Sequence, residues 1–237
     1  MRGYQWDWQF FLTDTGAGQT YLQWMLSAWG WTLSVAACAW VVALTFGALI
    51  GTLRTVPNRG AQFFGNAWVE LFRNIPLLVQ IFLWYHVIPA IFPVMKSLPP
   101  FLLVVLALGL FTSARVAEQV RAGIQSLPRG QMMAGSAMGL TLPQTYRYVI
   151  LPMAFRIVLP PLTSEAMNII KNSAVAFAVS IAELALFAQQ VQEETSRGIE
   201  TYLAVTTLYI ISALVVNRIL AYVERSVRVP GYVGGGK

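Results

Sequence analysis

The chain has 237 residues, of which 57% are hydrophobic and only 11% are charged. Soluble domains carry about 25% charged residues, so this composition excludes an ordinary soluble domain and predicts a membrane protein. The formal net charge of +6 does not indicate nucleic-acid binding, because the cations follow the apolar runs instead of forming a patch. A single cysteine, Cys38, excludes an intrachain disulfide framework.

Five apolar runs are candidate membrane spans, since a helix needs roughly 20 residues to cross a bilayer. No basic segment with a short apolar core precedes the first run, so we expect that run to direct insertion itself. In the fourth run, Pro160-Pro161 predicts a break before the helix that carries Lys171. The five runs are residues 21–53, 75–92, 99–112, 158–182 and 202–222.

The positions of lysine and arginine orient these runs. Arginines are concentrated after the first, third and fifth runs, whereas most acidic residues lie at the N-terminus and in residues 182–201, an expected outer loop. The positive-inside rule then places the N-terminus outside and the C-terminus in the cytoplasm, in agreement with an odd number of spans. The sequence therefore predicts an all-α transmembrane protein with a single membrane domain.

A half-polar segment, residues 126–152, lies between the third and fourth runs and has the pattern of two short helices. Gly135 and Gly139 form a small-xxx-small pair that allows close backbone approach, and Gly139 can end a helix. Thr141 and Gln144 have the spacing of a capping box that starts a second helix. We expect two cytoplasmic helices around a glycine hinge. A hairpin at the membrane interface, without a partner, is the alternative.

The stretch MAGSAMGLTLPQTYRYVILP, residues 133–152, resembles the EAA loop of importer-type ABC permeases. That pattern has Glu-Ala-Ala, then three residues, Gly, nine residues, and Ile-x-Leu-Pro. The spacing is kept, and the matching positions are Ala134, Gly139, Leu151 and Pro152. The chain departs from the pattern at three positions, which are Met133, Gly135 and Val149.

In that family the loop docks into a cleft of a cytoplasmic ATPase. The resemblance therefore implies a role in ATPase coupling for Met133, Ala134, Gly135, Gly139, Leu151 and Pro152. Because Met133 stands where the pattern has Glu, we expect docking to depend on methionine packing more than on charge. The expected docking face is Met132, Met133, Ala134 and Met138.

Further stretches, among them VELFRNIPLLVQ and PPLTSEAMNIIKNS, are similar to the polar amino-acid subfamily of these permeases, and most to its glutamate/aspartate importers. The resemblance implies a type I ABC importer permease fold in the bacterial inner membrane. It implies ATP-driven alternating access for polar, acidic amino acids, with glutamine, histidine or arginine as alternative substrates. The implied domains are a periplasmic N-terminal segment, 1–22, an ABC transmembrane type-1 domain, 23–224, and a cytoplasmic tail, 225–237.

The partners implied are a cytoplasmic ABC ATPase, a second homologous permease, and a periplasmic amino-acid-binding protein. The chain has no GxxxxGK[ST] motif, so we expect it to bind no cofactor and to leave ATP and magnesium to the ATPase. It also has no catalytic constellation and no metal-ligand spacing, which argues against an enzyme and a metal site. An ion-coupled secondary transporter is the remaining alternative, although that class has repeated halves.

Charged and polar residues inside the fourth run are candidates for a substrate path. A charge within a span is costly unless it faces a cavity or a partner. Lys171 lies in NIIKNSA, and its counter-charge is expected from an acidic substrate or from a structural pair with Glu165 or Glu183. Three neighbours would add hydrogen bonds to the substrate or only support helix packing; they are Asn168, Asn172 and Ser173.

Arg73 is a second candidate for the substrate path, at the start of the second run. It would act as a gate or an anion-attracting residue, or else extend to the interface, with Glu70 as its helical partner. Pro76 would open the helix beside it. Elsewhere we expect Arg115 to pair with Glu118 at helix spacing. Glu165 is expected to lie at a helix end or a subunit contact.

Overall fold

The computed structural model describes residues 4–227, and these residues form helices joined by short connections. They contain no named strand; a single isolated bridge joins Asp14 and Thr20. The predicted tail, 225–237, lies almost entirely outside the described residues. The α-helices in chain order are α1 (Tyr21–Leu53), α2 (Arg59–Asn74), α3 (Leu77–Phe82), α4 (Ile88–Ile91), α5 (Pro100–Gln125), α6 (Arg129–Ala137), α7 (Leu142–Thr145), α8 (Leu151–Asn172), α9 (Leu184–Thr195) and α10 (Gly198–Val227).

Four helical stretches of the described chain are long and apolar enough to cross a membrane. They are Tyr21–Leu53, Pro100–Gln125, Leu142–Val179 and Gly198–Val227. A fifth candidate is a bent pair, Arg59–Asn74 with Leu77–Ile91, whose halves meet at 103°. The all-α transmembrane prediction is confirmed, with four to five candidate spans.

The bend lies at Ile75 and Pro76, where the sequence predicts an opened helix. Ile75 has extended backbone angles, φ −97° and ψ 126°, and ends α2. Proline disfavours the helical conformation in the residue before it and has no N–H to donate. The local sequence thus explains why the chain turns here.

The predicted break at Pro160-Pro161 is wrong, because α8 continues through both prolines. Leu159 and Leu162 on either side are buried, so packing holds the helix across the two missing N–H groups. The helix changes instead at Ser173, where a 3₁₀ segment runs to Val179. Ser180, with φ 59°, ends that segment. The expected outer loop after it contains α9.

The described chain divides into two compact units, the first comprising residues 4–39, 76–108 and 168–214. In this unit, Phe10 and Phe11 join an apolar cluster that includes Tyr21 and Phe187. The N-terminal segment is held by the buried Glu200, which accepts the Asp7 backbone N–H at 2.9 Å and the Tyr4 hydroxyl.

Glu183 is the buried carboxylate that begins α9. It accepts the backbone N–H groups of Ala185 and Leu186 at 2.9 Å each, as an N-terminal cap does. The Tyr209 hydroxyl donates to it at 2.8 Å. Burial raises the pKa of Glu183 above the usual range of glutamate, and the two N–H groups oppose that shift.

Within the described residues, the second unit comprises 40–75, 109–167 and 215–227. Here α1 and α5 approach closely at Gly47, where an added Cβ would lie 2.5 Å from Val116. A cluster of Ile124, Leu127, Tyr146, Ile150 and Ala154 connects the end of α5 to the half-polar segment. This unit therefore carries the residues predicted for ATPase coupling.

Candidate functional site

The half-polar segment contains the two helices that the sequence predicts. α6 ends in a turn at Gly139, whose φ is 73°, a conformation that favours glycine. The Leu140 N–H donates to the Gly135 carbonyl at 3.1 Å and closes the turn. α7 then starts with the Thr141 N–H donating to the Gln144 side chain at 2.8 Å, as a capping box requires.

The two helices touch at Gly135, which is buried against Thr145. A Cβ at position 135 would lie 2.5 Å from the Thr145 methyl carbon and 2.8 Å from its hydroxyl oxygen. The missing Ala of the family pattern is thus explained, because only glycine fits here without displacing Thr145. Gly135 braces the segment internally and does not lie on its outer face.

Two methionines form the most exposed apolar part of this segment. Met133 is 68% exposed and Met138 is 66% exposed, and Ala134 between them is exposed too. Met132 differs from the expectation: it packs on the buried cluster around Ile124, because it shares the inner face of α6 with Gly135 three residues on. The exposed face is therefore narrower than the sequence suggests.

Leu151 and Pro152 begin α8, directly after a π-helical turn at Tyr146–Ile150. Leu151 lines an apolar groove of about 510 Å³ together with Leu44, Val120 and Phe155. The Tyr146 hydroxyl lies 3.1 Å from that of Thr55, so the turn is also tied to the chain just beyond α1.

Arg73 is half-exposed and lies in the last turn of α2. The expected pair with Glu70 is present, with the guanidinium 3.2 Å from the carboxylate. Arg73 also lies 3.9 Å from Glu118, which pairs with Arg54 at 3.0 Å and with Arg121 at 3.9 Å. Glu118 therefore stands among three arginines.

The expected pair between Arg115 and Glu118 is wrong. Arg115 instead bridges to Glu165, with Nε 2.9 Å from one carboxylate oxygen and Nη2 donating to the other at 3.2 Å. Glu165 is buried in the middle of α8 and is not at a helix end. This ion pair joins α5 to α8 across 50 residues of sequence, a distance that helix spacing does not detect.

Lys171 is exposed in the last turn of α8, although Ile169 and Ile170 before it are buried. Neither expected acidic partner pairs with it, because Glu165 binds Arg115 and Glu183 caps α9. In the part of the chain that the structure describes, no ion pair involves Lys171.

The three polar neighbours of Lys171 differ from one another. Ser173 is buried and its hydroxyl donates to the Ile170 carbonyl at 2.7 Å, so it serves the local helix turn. Asn168 and Asn172 are partly exposed. Asn172 is the last residue of α8 before the 3₁₀ segment. Lys171 and both asparagines thus precede a change of helix type, which often marks a functional region.

Comparison with known proteins gives consistent results along the whole chain. Residues 43–229 match the family described as "Binding-protein-dependent transport system inner membrane component". The chain is 46% identical over 241 residues to the glutamate/aspartate import permease protein GltJ of Escherichia coli K12, covering 97% of this chain and 98% of GltJ. It is 26% identical to the glutamate/aspartate import permease protein GltK of Escherichia coli O6:H1, covering 94% and 98%.

A solved structure has the same fold. It is a crystal structure of an amino acid ABC transporter with histidines, 30% identical to this chain, with a TM-score of 0.75 and coverage of 87% of this chain and 95% of the other. The family match extends over most of the chain, and the candidate spans fit a multi-pass membrane protein. The chain belongs to the inner-membrane components of binding-protein-dependent transport systems, the permease subunits of ABC importers, and has their type I fold.

Proposed function

We propose that this chain is a permease subunit of an ABC importer for acidic amino acids, glutamate and aspartate. The 46% identity to GltJ over nearly the full length of both chains supports this substrate class. A free cationic side chain at Lys171 suits an anionic substrate, since a charge inside a span needs a counter-charge. The alternative is that the substrate is a different polar amino acid, such as glutamine, histidine or arginine.

The observation that carries the coupling role is the contrast within the half-polar segment. Gly135, Met132 and the turn at Gly139 brace it from inside, whereas Met133 and Met138 lie exposed on its surface. A rigid segment with protruding apolar side chains suits docking into a groove of a soluble partner. In this proposal, Met133, Ala134 and Met138 contact the ATPase, and Leu151 and Pro152 pass the motion to α8.

The partners in this proposal are a cytoplasmic ABC ATPase, a second permease and a periplasmic amino-acid-binding protein. The similarity to both GltJ and GltK supports pairing with a second, homologous permease. The family description names a binding-protein-dependent system. The chain itself binds no ATP and is not an enzyme in this scheme; the ATPase holds ATP and magnesium and hydrolyses the nucleotide.

The experiment is to express the chain with its genomic neighbours and to purify it from membranes. We expect an ATPase and a second permease to co-purify. Proteoliposomes that contain this complex should take up labelled glutamate when the binding protein and ATP are supplied on opposite sides. Uptake that persists with a hydrolysis-deficient ATPase would contradict the proposal and favour an ion-coupled transporter.

The hinge at Gly139 gives a second test in the same proteoliposomes. Leucine is strained at a φ of 73°, which costs about 1–2 kcal/mol and shifts the turn. We expect Gly139→Leu to retain ATP hydrolysis and to lose uptake. Gly139→Asn is the matched control, because asparagine tolerates this conformation. If ATP hydrolysis and uptake remain coupled in Gly139→Leu, the alternative interpretation is favoured, in which the segment is an interfacial hairpin without a partner.

A further inference from the structure

Helix α2 has three distinct faces, and the proposed transport role uses only part of one. Its inner face is Gly65, Val69 and Phe72, which are buried. Its polar face carries Arg59, Asn66, Glu70 and Arg73 at helical spacing. Its third face is an apolar stripe of Phe64, Ala67 and Leu71, all exposed, and Phe63 lies at the border between this stripe and the polar face. Phe63, at 77% exposed, is among the most exposed large apolar side chains of the described chain.

The inner face of α2 packs on two candidate spans. Trp68 stacks on Phe46 of α1, with ring centroids 5.6 Å apart, and donates its indole N–H to Ser113 of α5 at 3.1 Å. These contacts hold α2 against the spans and fix which face is turned away from them. The apolar stripe is on the side that no described residue of this chain covers.

The contacts of α2 also show its direction across these spans. At its middle, Gly65 abuts the Arg54 side chain, and Asn66 accepts from Arg54 Nε at 2.8 Å. At its end, eight residues or about 12 Å further on, Arg73 reaches Glu118. Arg54 and Glu118 are themselves paired at 3.0 Å. The middle and the end of α2 thus meet one level of the α1–α5 pair, so the second half of α2 crosses these spans and does not run along them.

That level is where the first candidate span ends. α1 contains no charged residue, and Arg54 is the first charge after it. A charge-free apolar helix followed by arginine marks the boundary between hydrocarbon and headgroups. Helix α2 therefore lies at that boundary, on the side of the half-polar segment, because Thr55 bonds to Tyr146.

We propose that α2 is an interfacial anchor helix whose apolar stripe inserts into the bilayer leaflet beside the half-polar segment. An amphipathic helix in the interface plane buries its aromatic and aliphatic face among acyl chains and keeps charged residues in the headgroups. The adjoining polar face, with Arg59 at the N-terminal end, fits anionic headgroups.

The anchor would also fix the charged residues around Glu118. Arg73 and Glu70 extend from α2, and Arg54 is held between its Asn66 and Glu118. A helix held in the interface keeps these groups at one depth while other helices move. The bilayer is thus part of what positions Arg73.

The experiment is spin-label accessibility in the full-length chain, purified with the subunits that accompany it and placed in nanodiscs of phosphatidylethanolamine and phosphatidylglycerol. Cys38→Ser removes the native thiol, and a nitroxide is then attached at Phe64→Cys or Leu71→Cys. We expect both labels to collide with oxygen, which partitions into the bilayer, several-fold more often than with a water-soluble nickel complex.

Arg59→Cys is the matched control, because it lies on the polar face, away from Phe64 and Leu71; its label should show the opposite preference. A Phe64 label that is open to the nickel complex would overturn the proposal, because the stripe would face water. A Phe64 label that is immobilised and shielded from both reagents would overturn it too, because another subunit would cover the stripe. Neither result depends on transport, so the test stands apart from the proposed substrate.

Discussion

At the scale of single residues, the proposed function makes its clearest prediction for Lys171. Its two expected acidic partners are engaged elsewhere, Glu165 with Arg115 and Glu183 at the start of α9. A cation in a span is costly unless it faces a cavity or a counter-charge, so the proposed function assigns Lys171 to the path of an anionic substrate. This makes the residue testable without disturbing a structural pair.

We expect Lys171→Ala to abolish glutamate uptake in proteoliposomes while the complex still assembles, because only the cation on the path is lost. Lys171→Arg is the control that keeps the charge, and it should retain part of the uptake. Co-purification of the subunits checks assembly in both variants. Full transport by Lys171→Ala would exclude the residue from the substrate path.

The pair of Arg115 and Glu165 has a structural role at the same scale. Glu165 is buried, so removing its partner leaves a desolvated charge; breaking a buried ion pair in this way costs about 3–5 kcal/mol. We expect Glu165→Gln and Arg115→Gln each to lower the melting temperature of the purified protein. The double variant should lose less than the sum of the two, since the residues are coupled.

A matched control for this pair is Glu70→Gln, which disrupts the exposed pair with Arg73. Exposed pairs contribute about 0–1 kcal/mol, so this variant should melt close to the parent protein. If Glu70→Gln and Glu165→Gln lower the melting temperature equally, the ion pair between Arg115 and Glu165 stabilises the protein no more than an exposed pair does.

At the scale of elements, the contact between α6 and α7 sets the shape of the half-polar segment. We expect Gly135→Ala to separate the two helices, because its Cβ would lie 2.5 Å from the Thr145 methyl carbon. Uptake per ATP hydrolysed should then fall. Thr145→Ala removes the two closest atoms, so the double variant should recover coupling. A Gly135→Ala protein with normal coupling would show that this contact is not needed for force transmission.

The irregular elements are as informative as the regular ones. α8 continues through Pro160-Pro161 but gives way to a 3₁₀ segment after Asn172, and a π-turn precedes it at Tyr146–Ile150. π-turns and 3₁₀ segments inside long helices tend to occur at functional positions. Here one lies beside the proposed coupling residues and the other beside Lys171.

At the scale of the whole molecule, the candidate spans differ in how much of each the chain itself covers. In the described residues, the apolar window of α5 is 67% buried, whereas that of α10 is 11% buried. Other residues of the chain thus cover most of the apolar surface of α5. The outer surface of α10 must be covered by lipid or by another subunit, which agrees with pairing to a second permease in the proposed function.

The orientation of the whole chain is a further prediction. Arginines between the third and fourth candidate spans and after the fifth place those regions in the cytoplasm. We expect a C-terminal green fluorescent protein to fluoresce and a C-terminal alkaline phosphatase to be inactive. Phosphatase activity at the C-terminus would show the opposite orientation, in which the half-polar segment lies on the side of the membrane away from any ATPase.

Much of the architecture follows from the sequence, because it depends on neighbouring residues. Apolar runs predict the spans, Pro76 predicts the bend, and Gly139 with Thr141 and Gln144 predicts the turn between two short helices. The spacing of residues 133–152 and the further stretches indicated the family that the comparisons confirm. Each of these features is signalled by a hydrophobic run, a capping pattern or a motif whose residues are close together in the sequence.

The tertiary structure alone decided which distant side chains meet. Arg115 pairs with Glu165 and not with Glu118, which is only three residues away. Glu118 instead pairs with arginines from the end of α1, from α2 and from α5. Tertiary packing also turns Met132 inward and leaves the apolar stripe of α2 uncovered. Such contacts depend on how whole helices rotate and approach one another, and no local spacing determines this. The sequence by itself therefore determined which helices form, whereas tertiary packing decided which face of each helix is buried.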